Sequence, residues 1–411
     1  MTIGRSGGVP GGRGRPLGGG GAVVLPLNSI EVRNFRGLND LSIGTLGRVN
    51  LFVGKNNVGK TSLLEAVQIW ATRGSVRTLW DILDSRAEVS RRDSLDGTTV
   101  ELLFNRSGVE DGLRHMSVGP VGRPDARVTL GLGWTTWQEG DDGSLTRVVV
   151  KDPESASQTR AVEESLVVTV FGYPPRLVPL ERLRMIPRMS ERGDRPDRSA
   201  PIPATFVPAN GISEGAIGPL WDGVALTDAE ADVLAGLNII APDLERLTLV
   251  GEATSFRART MMARTRGQNA PVPLKSLGAG VNRMLGITLS LVNARGGVAL
   301  MDEIENGIHY SVQGDLWRLV LRMARRLDLQ VFATSHSWDC VRAFQAATAE
   351  DDEADGVLVR IEAKAGKIRA VPFDEKELTI ATLHDIEVRC PWLFRCDYSL
   401  RAQMTRWSFS S

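Results

Sequence analysis

The chain of 411 residues carries 49 Lys and Arg against 49 Asp and Glu, with 42% hydrophobic and 24% charged residues. That length buries one large core or a core with an inserted lobe, and the zero net charge excludes a chain-wide basic signature of nucleic-acid binding without excluding a local basic groove. Three cysteines, Cys340, Cys390 and Cys396, exclude a disulfide framework, and no apolar stretch reaches membrane-span length, so a reduced, cytoplasmic setting without membrane contact is expected.

Residues 1–27 are a Gly/Arg/Pro-rich tail predicted to be disordered. Over 29–38, Ile30 and Val32 alternate with charged residues, which reads as a half-exposed strand. Arg33 and Arg36 on this strand fit either a nucleotide contact or a surface charge. The apolar run Val49–Val53 reads as a buried strand. It feeds Gly54-Lys55-Asn56-Asn57-Val58-Gly59-Lys60-Thr61, which fits the phosphate loop G-x-x-x-x-G-K-[ST] at every fixed position. Leu63, Leu64, Ala66, Val67 and Trp70 then recur at helical spacing. In this strand–loop–helix context the segment predicts a nucleoside triphosphate site. Gly54 and Gly59 permit the backbone to turn N–H groups onto phosphates, and the helix start adds unpaired N–H groups. Lys60 suits the β- and γ-phosphates, and the Thr61 hydroxyl suits Mg2+. Asn56, Asn57 and Ser62 are expected among the nucleotide contacts.

From about residue 75 to 251 the pattern changes. Segments 98–104, 127–134, Leu145–Val150 and 165–171 are strand-like and separated by turn residues, predicting an antiparallel β element in a variable insertion. The Pro/Arg/Asp-rich stretch 178–200 reads as a mobile loop. Thr227 and Glu230 form a capping box that opens a helix over 227–238. Two groups of cations stand out: Arg182 to Arg198, interspersed with acids, and Arg257, Arg259, Arg264 and Arg266. No heptad pattern is sustained, so long coiled-coil arms are not expected.

After Leu274 helix and strand alternate: helix from Ala279, strand 297–301, helix 311–325, strand 329–333, helix 338–346, then two short strands over 356–361 and 367–371 pairing at an edge. Such alternation predicts an α/β layer with a mostly parallel sheet. Val298-Ala299-Leu300-Met301-Asp302-Glu303 is an apolar strand ending in two acids, the form in which the first carboxylate binds Mg2+ and the second serves as general base for water. Phe332-Ala333-Thr334-Ser335-His336 puts a His at the end of another strand, placed to sense the γ-phosphate. Ser276, Gly278 and Gly280 open a helix, where taken alone they read as an N-cap and otherwise as a further anion nest. The aromatic, basic 391–411 tail carries no functional reading.

Together, Asn34-Phe35-Arg36-Gly37-Leu38, the 54–61 loop, the 276–283 segment, Asp302-Glu303-Ile304-Glu305-Asn306-Gly307 and Ala333-Thr334-Ser335-His336 resemble the bacterial ABC-type ATPases of the RecF/SMC/OLD-like group. Within it the chain is similar to stand-alone AAA-type core ATPases, whose acidic motif runs into Glu-Asn-Gly-x-His, here Glu305 to His309. The resemblance implies a P-loop NTPase fold over 28–390, an ABC-type head with the insertion at 75–251. It implies ATP and Mg2+ sandwiched between two heads of a homodimer. Catalysis would fall to Glu303, Lys60 and His336, and the metal to Thr61 and Asp302. Ser276, Gly278 and Gly280 would reach the partner's nucleotide, and residues 305–309 would line the dimer seam. The signature reads Ser-Leu-Gly-Ala-Gly where transporters have adjacent glycines, and no Q-loop glutamine can be placed. About 75 residues follow His336, short for a TOPRIM nuclease domain, so no nuclease activity is expected.

Three functions are compatible with these motifs. The first is an ATP-driven switch in DNA repair or phage defence, with DNA and a separately encoded effector as partners. The second is an ATP-dependent oligomerisation scaffold or sensor that holds a protein and touches no nucleic acid. The third, the ATP-binding subunit of a transporter, is disfavoured by the variant signature and the Asn-Phe-Arg-Gly opening.

Overall fold

The structure, a computed structural model, describes residues 25–88, 100–105, 109–110, 113–150, 161–183, 202–251, 259–268, 270–351, 353–364 and 366–373. The expected N-terminal tail up to residue 24, most of the 178–200 loop and the 391–411 tail lie outside them, as do Arg184 to Arg198 and Arg257.

Runs such as Val-Asn-Leu-Phe-Val and Val-Ala-Leu-Met have no polar face, and in parallel strands both faces are covered. Val49–Val53, Val298–Met301 and Gln330–Ser335 are accordingly buried at every residue. They are the centre of a six-stranded sheet in the order Ala204–Val207, Val298–Met301, Gln330–Ser335, Val49–Val53, Gly356–Lys364, Lys367–Phe373. The first five strands are parallel and the last is antiparallel, the edge pair the sequence predicts. Alternate residues face two cores. Leu51, Met301 and Ala333 pack with the helices Ala279–Asn293 and Gln313–Arg326, whereas Phe52, Leu300 and Phe332 pack with the helix Lys60–Ala71. Two buried amides within the sheet are satisfied: Gln330 bonds the backbone of Leu27 and Gly47, and Asn50 that of Gly47 and Val331.

Register positions the site. Val53 and Ser335 end opposite each other, and Met301, opposite Ala333, ends two residues earlier, so the three central strands finish along one edge of the sheet. Beyond those ends come Gly54, Asp302 and His336. In open α/β sheets, ligands bind at this carboxyl edge.

The expected antiparallel element is an eight-stranded sheet continuous with the first hairpin, in the order Leu38–Ile43, Ile30–Phe35, Leu113–Gly119, Val128–Glu139, Val162–Val170, Arg176–Pro179, with Val109–Glu110 and Leu145–Val150 off this path. Its inner residues, among them Met116, Leu130 and Val168, share the second core with the Lys60–Ala71 helix. Pairing of Ile30–Phe35 with Leu113–Gly119 alters one expectation: Glu31 is buried at 9% exposure, held by Arg33 and Arg127, and of the strand's two charged residues only Arg33 remains exposed.

The strand expected over 98–104 is a second correction. Residues 98 and 99 lie outside the described residues; among the described ones Val100 and Glu101 are helical, and only Phe104 bridges to another strand, at Phe35. Val100, Leu103 and Phe104 are the buried residues, a spacing of three and four that suits a helical turn better than a strand of period two. At the helix Asp228–Leu237, Thr227 accepts from the Ala229 N–H at 3.3 Å as expected, while Glu230 accepts from Leu226 at 2.9 Å, one residue before the cap. Among the described residues no helix is long and apolar enough to cross a membrane.

Candidate nucleotide site

The loop is built on left-handed backbone. Gly54 has φ 148° and Gly59 φ 90°, with Asn57 at φ 62° between them. A methyl group at Gly54 would collide with the Ile361 carbonyl, and one at Gly59 would stand 2.8 Å from Leu38 Cδ2. The loop is therefore pressed against the neighbouring strand on one side and the first hairpin on the other. Gly54→Ala should leave the sheet folded but weaken ATP binding about 10- to 100-fold, the equivalent of ~1–3 kcal/mol of backbone strain. Equilibrium titration with ATP checks this.

Lys60 Nζ lies inside the loop's curl, donating to the carbonyls of Gly54 (2.8 Å) and Lys55 (2.9 Å). Burial pulls its pKa down, and Asp302, Glu303 and Glu305 act in the opposite direction. The two strand-end motifs meet the loop next. Thr61 Oγ1 donates to the Asp302 carboxylate at 2.9 and 3.2 Å, and Thr334 Oγ1 donates to the same carboxylate at 2.6 Å. A hydroxyl and a carboxylate converging this closely form an all-oxygen donor set, which suits Mg2+.

Glu303 turns into the cleft with its side chain 32% exposed, accessible to water. Its carboxylate accepts from Asn306 Nδ2 at 2.6 Å, and its backbone N–H donates to Thr334 Oγ1 at 2.8 Å. His336 Nδ1 lies 3.7 Å from Glu303 and 3.6 Å from Glu305. Glu305 is 7% exposed and holds the His segment: Oε1 accepts from Ser335 Oγ and from the N–H groups of His336 and Ser337, at 2.8 to 3.2 Å.

A cleft of about 560 Å³ joins the loop to the acidic pair; Asn56, Asn57, Gly59, Lys60, Thr61, Ser62, Asp302 and Glu303 line it, together with Arg36, Gly37, Arg86, Glu88, Leu102 and Ile368, whereas His336 stands beside Glu303 and off its wall. Arg36 thus lines the cleft, but its guanidinium is engaged by Glu65 (3.0 Å) and Glu88 (2.7 Å), with the side chain 9% exposed. Burial works against its charge, yet the bond to Glu88 and the charges of Glu65 and Glu88 raise its pKa overall. Arg33 is 51% exposed, pairs with Glu31 and Asp40, and is absent from the cleft wall.

The chain's own cleft does not take in the 276–280 segment. Ser276 is exposed, its hydroxyl donating to Pro273 O at 2.7 Å, and Gly278, at φ 110°, opens the helix Ala279–Asn293 with free space around it. Gly280 turns inward: a methyl there would stand 2.9 Å from the Gly307 carbonyl. The structure therefore brings together the loop, the acidic pair and His336, and leaves Ser276 and Gly278 facing outward.

Four groups act at the site beyond what the sequence implies. Thr334 and Arg283 lie within the motifs quoted above without a role, and Glu305 and Asn306 were expected only at a dimer seam. No sequence signal told that Thr334 would turn to Asp302, because that contact depends on the register of neighbouring strands. Arg283, 4% exposed, donates to the carbonyls of Pro208, Asp302 and Glu303, and burial lowers its pKa against the pull of Glu305, Asp302 and Glu303. Among the described residues no Gln lines the cleft; Gln68 borders a separate cavity.

The AAA ATPase domain family matches residues 26–98 and 228–341, the segments that carry these motifs on either side of the insertion. The DNA replication and repair protein RecF of Ligilactobacillus salivarius is 33% identical over 99 residues, 22% of this chain and 26% of that protein. The chain thus spans about a quarter of the length of that relative. An ATP/GTP phosphatase of Helicobacter pylori is 19% identical over 356 residues, covering 80% of this chain and 90% of the relative. Among solved structures, an SMC head bound to the C-terminal winged-helix domain of ScpA aligns at a TM-score of 0.47 and 12% identity, covering 86% of this chain and 99% of that one. The family match falls on the strand–loop–helix and on the acidic strand, so the segments that build the cleft carry an AAA ATPase domain, similar over part of the chain to RecF and, over most of the chain, to an ATP/GTP phosphatase.

Proposed function

We propose that the cleft hydrolyses Mg2+-bound ATP in a composite site closed by a second copy of the chain. The observation that carries this reading is the convergence of Thr61, Asp302 and Thr334 beside an accessible Glu303. Lys60 and the loop N–H groups hold the β- and γ-phosphates. Thr61 and Asp302 hold Mg2+, which supplies charge neutralisation on the phosphates when bound. Glu303, steadied by Asn306, takes a proton from the attacking water, and His336 stands next to it at the γ-phosphate end. Ser276 and Gly278 face outward and are absent from the chain's own cleft wall, which supports their use on the nucleotide of a partner copy. The output is a cycle of closure on ATP and reopening after hydrolysis in the cytoplasm, passed to a separately encoded effector.

RecF relatives, named for DNA replication and repair, favour DNA as the partner, in repair or phage defence. One observation favours a protein partner instead. Arg259 is bound to Asp222 at 2.9 Å, and Arg264 and Arg266 share Glu245 at 4.0 and 3.6 Å, so the described part of the second basic group is partly neutralised. Comparing ATP turnover with and without double-stranded DNA, at two salt concentrations, separates the two. Stimulation that falls steeply with salt supports DNA, because phosphate contacts release counterions. Turnover indifferent to DNA at low salt supports the protein partner. Lys60→Ala, in either case, should lose ATP binding.

A further inference from the structure

Arg283 joins two motifs that a composite cleft would assign to different nucleotides. It sits one turn beyond Gly280 on the helix Ala279–Asn293, and its guanidinium donates to Asp302 O at 2.6 Å and Glu303 O at 2.8 Å, as well as to Pro208 O. The backbone it grips is under strain. Glu303 has φ 46°, a left-handed conformation that a residue with a long side chain rarely adopts and that persists only where its surroundings hold it. Four contacts hold it: Thr334 Oγ1 on its N–H, Asn306 Nδ2 on its carboxylate, and both the Asn306 N–H (3.0 Å) and Arg283 on its carbonyl. Of these, Arg283 alone belongs to the helix that begins at the outward-facing Ser276 and Gly278. The start of that helix is itself pinned, since Gly280 lies against the Gly307 carbonyl. A pull on the helix start therefore has a short, buried route to the carbonyls of Asp302 and Glu303.

We propose that Arg283 is a positioning residue coupling the two clefts of a dimer: when Ser276 and Gly278 of one copy take up the γ-phosphate in the partner's cleft, Arg283 settles Glu303 in the first copy's own cleft. This rests on the composite-site reading above. Each copy then hydrolyses fast only when the opposite cleft is filled. Guanidinium suits the task because its fork spans several carbonyls at once, which a lysine ammonium does not.

The test uses a tagged full-length copy mixed with saturating untagged partner that is either Lys60→Ala, whose cleft stays empty, or Glu303→Gln, whose cleft holds ATP without turning it over. ATP hydrolysis then reports on the tagged copy alone. With a wild-type tagged copy, the Lys60→Ala partner should give about tenfold slower turnover than the Glu303→Gln partner, a coupling of ordinary size. With Arg283→Lys in the tagged copy the ratio should fall to near one, with its affinity for ATP retained. Arg283→Gln serves as a second variant should the first fail to fold. A ratio that stays near ten in a folded Arg283 variant overturns the proposal, and so does a ratio near one in the wild-type copy. A third partner, Ser276→Arg combined with Glu303→Gln so that it turns over no ATP itself, separates the two readings: full turnover by the wild-type tagged copy beside it overturns the composite site, and the coupling falls with it. That outcome differs from a coupling failure, in which this third partner abolishes turnover while the ratio between the other two partners stays near one.

Discussion

Glu303→Gln is expected to lower ATP turnover about a thousandfold, within the range that a general base contributes, while ATP remains bound. The reasoning is geometric. Glu303 is the acid of the cleft with an accessible side chain, whereas Asp302 is 8% exposed and its oxygens are taken by Thr61 and Thr334. Gln keeps the size and one acceptor oxygen for Asn306 but cannot take a proton. Loop, Lys60 and Asp302 are untouched, so affinity should hold and a dimer should accumulate on ATP. Single-turnover and equilibrium-binding measurements on the same protein separate the two effects. Turnover at the wild-type rate would move the base elsewhere, with His336, 3.7 Å away, the next group to replace.

Glu65→Ala is expected to cost about 3 kcal/mol of stability, the scale for breaking a buried pair and stranding its partner. Glu65 is 3% exposed on the helix that follows the phosphate loop, bonded to Arg86 at 2.7 Å and paired with Arg36 at 3.0 Å. Burial pushes its carboxyl above the ordinary range, and the two guanidinium groups oppose that shift. Removing the carboxylate leaves Arg36 buried with Glu88 as its remaining partner. The Arg86 pair, with one side chain 33% exposed, contributes little by itself. Arg36→Met combined with Glu65→Leu should recover much of the loss, because the charges left without these partners, Glu88 and Arg86, reach solvent at 19% and 33% exposure. Urea unfolding of the single and double variants reads both effects. An unchanged midpoint for Glu65→Ala would show that the pair is solvated.

Much of this was legible in the sequence because its signals are local. The buried strand, the glycine loop and the apolar helix stripe fall within some twenty residues, and each obeys a period or a dihedral requirement that neighbours alone decide. The helix Ala279–Asn293 and the strands around Asp302 and His336 were readable for the same reason. What the sequence hid depends on contacts between distant segments. Arg36 could be weighed as a nucleotide contact or a surface charge, but its engagement by Glu65 and Glu88 needed the fold that brings residues 36, 65 and 88 together. Glu31 looked solvated until a strand more than 80 residues away covered it. Residues 98–104 misled because β-branched and aromatic residues mimic a strand when their spacing is that of a helical turn. Arg283 and Asn306 stood in plain view within motifs, yet their partners are backbone carbonyls and a carboxylate, and a sequence does not display which carbonyl a side chain will meet.

Complementation between two inactive variants tests the composite cleft most directly. Lys60→Ala destroys the loop and leaves the 276–280 segment intact; Ser276→Arg blocks that segment and leaves the loop intact. Either protein alone should be inactive. Mixed, they should regain ATP turnover well above both, because a heterodimer holds one cleft with a sound loop from one copy and a sound Ser276 from the other, slowed by the empty opposite cleft. Full turnover by Ser276→Arg alone, or a mixture as inactive as its components while both variants remain folded and able to dimerise, would contradict the account.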